Sequence, residues 1–518
     1  MSDIRQRTVE AYLRNGGNIS AAAREIGRHP STVREHIRKA GIEKPVTSGR
    51  LDHPEPARAP LGRTYLLTCA QNNTPVHGPF WANLVALAED RDATLLVSRI
   101  RYNHHAFEPD GEELWYDPAI AEYASDDALE LGDRLVWNAE VNILPTAVNP
   151  LSGFDTFNGP KSNVFPHTKI AMVSVANSMH EPTKFNYTTG TVTQRNYVQR
   201  KAGQKASFHH AYGALLVEVD SMGQWWARQI NANEDGSFQD LDTVVRDGNL
   251  EEGKVAAIIW GDIHVANLDP TVREACWGTG GMIDELAPKY QVFHDLLDFR
   301  ARNHHDTRNP HLNFQKHLEG TDDVAAEVRK TADFLHEAYR DGVQSVVVPS
   351  NHDDALTRWL READYRDDPK NALFFLRTQT AVYTAIAEGE DDFHVLEWVL
   401  QESPSDGVWS AVFLQTDESF VVQDVELGNH GHLGINGARG APRQFARSGR
   451  KAVTGHTHSA GIINGVYTVG TSSRLDAGYN KGPSSWSHTH CVLYSNGKRA
   501  LVTLRDGKWR AYARPSSS

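Results

Sequence analysis

Cysteine is nearly absent: the chain's 518 residues include only Cys69, Cys276 and Cys491, far apart in sequence. That scarcity excludes a disulfide framework and a cysteine-rich zinc site. Long apolar runs are missing too, since none approaches the roughly 20 residues a membrane helix requires. Met1-Ser2-Asp3-Ile4-Arg5 lacks the charged-then-apolar pattern of a secretory signal, so the expected setting is cytoplasmic with no membrane partner. No internal repeat or low-complexity segment is evident. Acid, by contrast, is in excess, with a formal net charge of -13, which excludes a generally basic nucleic-acid coat. A 40% hydrophobic and 23% charged composition is that of an ordinary globular chain. Its length allows about two to four domains.

Residues 1–62 break the acidic trend, with eleven Lys/Arg against seven Asp/Glu. "NGGNISAAAREIGRHPSTVREHIRKAG" (15–41) reads as two helices around a tight turn. Ser20 can cap the first, Ala21, Ala22 and Ile26 give it a small apolar face, and Gly27 ends it. Pro30 stands where a second helix can begin, and Val33 and Ile37 are spaced four apart for burial. With a preceding helix over Arg5–Arg14, residues 1–45 form the three-helix layout of a helix-turn-helix DNA-binding module. Its second motif helix would present Arg28, Ser31, Thr32, Arg34, Glu35 and Arg38 to a groove; a helical packing module is the alternative. His29 and His36 read as surface residues. Residues 46–62, rich in Pro and Gly, read as a linker.

Between 63 and 250 the period changes to that of an α/β accessory domain. "TYLLTCA", "GPFWANLVALAEDRD" and "ATLLVSRI" make a βαβ unit, and "TKIAMVSVA" and "GALLVEV" are further strands. Residues 182–213 hold five Lys/Arg and no carboxylate, interleaved with Phe185, Tyr187 and Tyr197. They read either as a phosphate-backbone surface, with Arg195, Arg200 and Lys201 as DNA contacts, or as a solvated loop. His104-His105 and His209-His210 read as structural.

From 251 to 505 five predicted strands end in metal-type ligands. Asp262-Ile263-His264 follows "VAAIIW"; Asp295, with Asp298 three residues on, follows "YQVF"; Asn351-His352-Asp353 follows "SVVVPS". His430 and His432 lie in "GNHGHLG", and His456 and His458 in "GHTH". Such a series suits phosphodiester chemistry. Two cations about 3.5–4 Å apart can bind the ester's oxygens, activate water and stabilise developing charge. The pair needs a carboxylate that bridges both ions, with mixed oxygen and nitrogen ligands around it. Asp, Asn and His suit Mn²⁺, Fe or Zn²⁺, and the lack of thiolates disfavours a soft metal. Glycine beside Asp262 and His456 would let the backbone turn sharply.

The order DxH, GDxxD, GNH[DE], His, GHxH resembles the calcineurin-like metallophosphoesterases over residues 254–500. His294 and Ser350 stand where that family carries Gly, and neither change removes a ligand. The resemblance implies a two-sheet α/β sandwich with two divalent metal ions at its strand ends, Mn²⁺ first, with Mg²⁺, Fe or Zn²⁺ as alternatives. One metal would take Asp262, His264, Asp295 and His458; the other would share Asp295 and take Asn351, His430 and His456. His430 is preferred to His432 as ligand. His352 matches the family's catalytic histidine, and Asp353 is expected to orient it. Arg300, Arg302, His304 and His305, and separately Arg439, His488 and His490, either grip flanking phosphates or serve structure.

The whole layout resembles phage pre-early DNA-transfer proteins implicated in degrading host DNA, which would place it in the host cytoplasm. The expected function is a two-metal DNA nuclease positioned by the helix-turn-helix. A phosphatase, a small-molecule phosphodiesterase, or a DNA-binding regulator with an inactive fold are the alternatives. A homo-oligomer is compatible with the helix-turn-helix, although no apolar interface stripe is evident. Residues 506–518 read as a C-terminal tail.

Overall fold

The structure is a computed structural model that describes residues 3–15, 19–40, 55–102, 114–178, 181–306, 308–402, 406–478 and 480–512. The chain divides into two compact units, Met1–Pro56 and Ala57–Ser518.

The first unit has three helices, α1 (Asp3–Arg14), α2 (Ile19–Glu25) and α3 (Pro30–Lys39). They close over Ala11, Tyr12, Ala22, Ala23, Val33 and Ile37, small residues letting the helices approach. Gly27 adopts φ +63°, the left-handed turn that ends α2. Two expectations shift here. Ser20 lies inside α2, which begins at Ile19, and α3 is capped by His29, whose Nδ1 accepts from the Ser31 amide at 3.3 Å. His36 is not a plain surface residue, because its Nδ1 lies 3.0 Å from Oγ1 of buried Thr8 and ties α3 to α1.

In the second unit, β1 (Arg63–Gln71), α4 (Gly78–Asp90) and β2 (Ala93–Ile100) form the expected βαβ unit, with β1 and β2 parallel. Then follow β3 (Met172–Val175), α5 (Lys201–His209), β4 (Gly213–Val219) and β5 (Trp225–Asn231). A four-stranded sheet has the order β5-β4-β1-β2.

The region beyond residue 250 contributes β6 (Val255–Ile259), β7 (Tyr290–Phe293), β8 (Gln344–Val347), α6 (Asp354–Glu362) and β9 (Val412–Phe413). It continues with β10 (Val425–Glu426), β11 (Lys451–Thr454), β12 (Gly461–Ile463), β13 (Val466–Thr468), β14 (Thr489–Tyr494) and β15 (Arg499–Thr503). One six-stranded sheet runs β9-β8-β7-β6-β14-β15, and β3-β12-β13-β11-β10 lie consecutively in an eleven-stranded sheet. In the first, β6 to β9 are parallel neighbours, so their C-terminal ends share one edge.

Strand alternation sets the layers. Ala257, Ile259, Val292 and Val346 pack with Val425, Val453, Ile462 and Tyr467 of the larger sheet. Ile258, Phe293 and Val347 face the other way, onto Val328, Leu335 and Leu356. Burying each such aliphatic side chain contributes about 1.5–3 kcal/mol.

The boundary expected at 250/251 does not separate two bodies. β3 pairs with β12, Met172 opposite Ile462, and Gln229 Oε1 accepts from the Leu501 amide at 3.0 Å. The expected linker and tail are shorter too. Ala57 and Arg58 pair with Leu129 and Glu130, while residues 46–54 lie outside those described. Trp509 is buried and Tyr512 donates to the Val219 carbonyl at 2.8 Å; residues 513–518 lie outside those described.

Candidate metal centre

The parallel strands deliver candidate ligands to one edge. β6 runs out into Asp262 and His264, β7 into Asp295 and β8 into Asn351, while His430 follows β10 and His456 and His458 follow β11. The backbone leaves regular geometry there. His264, Asp295, His456 and His458 adopt φ of 48°, 46°, 72° and 55°. A non-glycine residue held so costs on the order of 1–3 kcal/mol and persists only where its surroundings over-determine it. The sharp turning expected of Gly261 and Gly455 therefore falls on the ligands themselves. The glycines serve close approach instead: a Cβ on Gly455 would stand 2.1 Å from Asp262 Oδ1, and one on Gly261 2.8 Å from the Thr471 nitrogen.

Asp262, His264, Asp295 and His458 bring one ligand atom each within 4.8 Å of one another, all four buried. Nε2 of His264 and Nε2 of His458 face each other at 3.1 Å, and Asp262 Oδ2 lies 3.2 Å from the latter. Asp295 Oδ2 is 3.5 Å from His264 Nε2 and 3.3 Å from His430 Nε2, so one oxygen stands between two groups of imidazoles. Beside His430, the Asn351 Oδ1 and His456 Nδ1 meet at 3.1 Å. Asp262 Oδ1, Asp295 Oδ1 and both ring nitrogens of His430 are buried without a hydrogen-bond partner. Each such orphan costs about 1–3 kcal/mol unless something satisfies it. Converging lone pairs of imidazole and carboxylate fit divalent cations.

Burial works to raise the carboxyls of Asp262 and Asp295, but the surrounding imidazoles outweigh it and hold both below the usual carboxylate range. Burial likewise opposes a charged His352, yet Asp295 and Asp298 prevail and hold its pKa up at about 10.

Asp298 is the residue whose role the sequence did not reveal. Its Oδ1 lies 3.1 Å from His264 Nδ1 and 3.3 Å from His352 Nδ1, and its Oδ2 accepts from Asn267 at 2.8 Å. Its distance of three residues from Asp295 was the available signal. Asp353 does not orient His352: its carboxylate accepts from the Leu297 amide at 2.8 Å and the Ser350 hydroxyl at 2.7 Å. Burial raises the Asp353 pKa to about 7. His294 is fully buried with neither ring nitrogen partnered, and burial lowers its pKa to about 4.

The other expected contacts scatter. Arg302 makes two hydrogen bonds to Asp368, at 2.6 and 2.7 Å, and is thus engaged away from any phosphate. His490 accepts from the Gly261 amide at 2.9 Å and His488 Nε2 donates to the Ser473 carbonyl at 2.9 Å, both structural. The rings of His304 and His305, tilted by 40° with centroids 3.9 Å apart, stand beside a cleft of about 530 Å³ that reaches Asn351 and His432. His432 is half-buried at the outer side of His430, and Arg439 is exposed.

Residues 182–213 do not form an aromatic-lined phosphate surface. Phe185, Tyr187 and Tyr197 are buried, and Lys184 donates to the carbonyls of Asp155, Phe157 and Gly159. Arg195 pairs with Glu234 at 2.6 Å, leaving Arg200 and Lys201 exposed at the start of α5. His210 is structural, bonded to Tyr197 and Thr193; His104 and His105 lie outside the described residues. In the helical unit, Arg28, Ser31, Arg34 and Arg38 are exposed and Thr32 is half-buried. Among the described residues no helix is long and apolar enough to cross a membrane.

Comparison with known proteins identifies both parts. Residues 6–41 match the family of the PucR C-terminal helix-turn-helix domain. Protein A1 of Escherichia phage T5 is 41% identical over 464 residues, which cover 87% of this chain and 83% of that protein. No solved structure matches the chain.

Proposed function

Because the chain belongs to the family of Protein A1 of Escherichia phage T5, we propose that it is a metal-dependent phosphodiesterase acting on DNA, brought to its substrate by the helices of residues 3–40. The substrate this reading favours is host DNA. The observation that carries it is the position of Asp295 Oδ2, 3.5 Å from one imidazole and 3.3 Å from another in a different ligand group. That is where a carboxylate shared by two cations has to stand.

One ion would be held by Asp262, His264, Asp295 and His458, the second by the shared Asp295 with Asn351, His430 and His456. A donor set of imidazole, carboxylate and amide suits Mn²⁺, with Mg²⁺, Fe and Zn²⁺ as alternatives. When bound, such ions neutralise the phosphate and activate water for in-line attack. The chain's own residues do the rest. Asp298 fixes the ring of His264 through Nδ1 and so aims Nε2 at the ligand group. The same carboxylate, at 3.3 Å, and the Asp298 backbone carbonyl, at 3.2 Å, together hold His352 by Nδ1. His352 is thereby held as a cation whose other nitrogen can protonate the leaving oxygen. Asp353 secures the loop from behind through Leu297 and Ser350.

The test is hydrolysis by the purified protein, with Mn²⁺ or with EDTA, of duplex DNA, single strands and a chromogenic diester. Mn²⁺-dependent loss of DNA is expected. Cleavage of the diester with DNA intact would refute the nuclease, and no hydrolysis of either would refute the phosphodiesterase.

A further inference from the structure

We propose that the segment joining His430 to His456 is a docking surface for a nucleic-acid backbone, with Arg439, Arg443 and Arg447 as its contacts. The inference rests on the phosphodiesterase reading for its substrate but on different residues for its evidence.

Charge is segregated there as nowhere else in the ligand-bearing region. Between Glu426 and Asp476 the sequence has no carboxylate but six Lys/Arg, in a chain of net charge -13. Two of the six have partners: Arg450 lies 3.7 Å from Glu426 and Lys451 3.2 Å from Asp424. Arg439, Arg443 and Arg447 are exposed, and none forms an ion pair with a described residue. Across the neighbouring cleft, Arg358 and Arg361 lean on Glu362 at 3.0 and 3.4 Å. Three exposed guanidiniums four residues apart, with no carboxylate paired to them among the described residues, leave their charge free for an anion from outside.

The segment is also anchored to the metal centre. Leu433 bridges Arg439, and the Gly440 amide donates to the His432 carbonyl at 2.8 Å. A Cβ on Gly440 would lie 1.9 Å from the Gly431 carbonyl oxygen, so the return passes in direct contact with the residue after His430. The cleft of about 530 Å³ is walled by His432 and Leu433 on this side and reaches Asn351. None of the three lines the cleft, and Arg443 borders a separate cavity beside Asp155 and Lys169, so a polymer in the cleft would meet them where it runs on past Leu433. A repeating monoanion suits a row of separate guanidiniums, each able to fork onto one phosphate.

The experiment compares the full chain with its Arg439→Ala/Arg443→Ala/Arg447→Ala variant and with the matching triple Lys variant. Duplex-DNA affinity is measured in EDTA over a salt series, alongside Mn²⁺-dependent hydrolysis of a chromogenic diester too short to reach the segment. The Ala variant should bind DNA at least tenfold more weakly, with a salt slope lower by about 2–3, since each phosphate contact contributes roughly 0.9. Its diester hydrolysis should change less than threefold, and Lys should restore most of the binding. Unchanged affinity and slope would overturn the proposal. So would parallel loss of binding and diester hydrolysis in both variants, which would make the segment a structural strut. Weakened DNA binding in a protein that hydrolyses neither substrate would leave the docking surface standing and overturn the catalytic reading alone.

Discussion

Two clusters of buried charge occur in the larger unit, and they are built in opposite ways. Arg228, Glu218 and Asp240 have side chains 2%, 5% and 1% exposed and meet at 2.5–2.9 Å. All three sit in regular strands, and Arg228 Nη1 is the one polar atom of the three without a partner. At the edge of β6, β7 and β8, Asp262, Asp295 and His430 are as deeply buried, yet four of their polar atoms lack a hydrogen bond, the closest ion pair among the three is 3.3 Å long, and Asp295 is held at φ 46°. The first cluster consumes its own charge. The second leaves part of it unbonded and holds strained backbone, as expected of a cluster built to receive a cation.

Asp295→Asn is the sharpest way to test that contrast. Asparagine keeps the volume and tolerates the left-handed backbone, but it cannot supply the shared anionic oxygen. Hydrolysis should fall to background, while the melting temperature in EDTA should drop less than that of Arg228→Met, because the imidazoles hold the carboxylate ionised but leave its Oδ1 without a hydrogen bond. A variant that melts far lower would place Asp295 with the structural cluster. His352→Ala comes next, with turnover lowered roughly 10²–10⁴-fold. Metal content, measured by elemental analysis, should stay near that of the wild type, since the ring's Nδ1 is spent on Asp298. Loss of metal with activity would make His352 a ligand.

Arg228→Met reverses the pattern. Removing the cation leaves Glu218 and Asp240 buried and facing each other, which should cost about 3–5 kcal/mol of unfolding free energy. Turnover per folded molecule should hardly move. Denaturant unfolding beside active-site titration reads both, and a stability loss below 1 kcal/mol would mean that the triad is not self-satisfying as described.

How much of this the sequence disclosed depends on the distance over which each signal acts. The candidate ligands were legible because each follows its own apolar run, and the helical module because Gly27 and the Val33–Ile37 spacing are local signals; its caps were not. What failed was inference from adjacency. Asp353 follows His352 in sequence and was expected to orient it, but the chain is entering α6 there. Successive side chains on a helix point about 100° apart, and the partner comes instead from Asp298 on another strand end. The basic residues interleaved with Phe185, Tyr187 and Tyr197 read as a phosphate-backbone surface or a solvated loop, yet every residue from Lys184 to Thr188 is buried. The pairing of Met172 with Ile462 leaves no local trace at all, so the accessory region looked like a separate domain.

Asp298→Asn makes the smallest change and discriminates most finely. The carboxylate now serves three groups: Oδ1 faces the Nδ1 atoms of His264 and His352, and Oδ2 accepts from the Asn267 amide at 2.8 Å. An asparagine offers one acceptor oxygen. If that oxygen faces the histidines, its amide meets the Asn267 amide donor to donor; if it flips, His264 loses its anchor and His352 keeps only the Asp298 backbone carbonyl, 3.2 Å from its Nδ1. Either way the expected loss is roughly 10–100-fold in metal affinity or turnover, the usual cost of removing a ligand's outer partner. Mn²⁺ titration and diester kinetics measure it. Adding Asn267→Asp supplies an acceptor for the new amide and should recover part of the loss by letting the oxygen stay on the histidines. A single variant as active as the wild type would mean that His264 and His352 hold their places without Asp298.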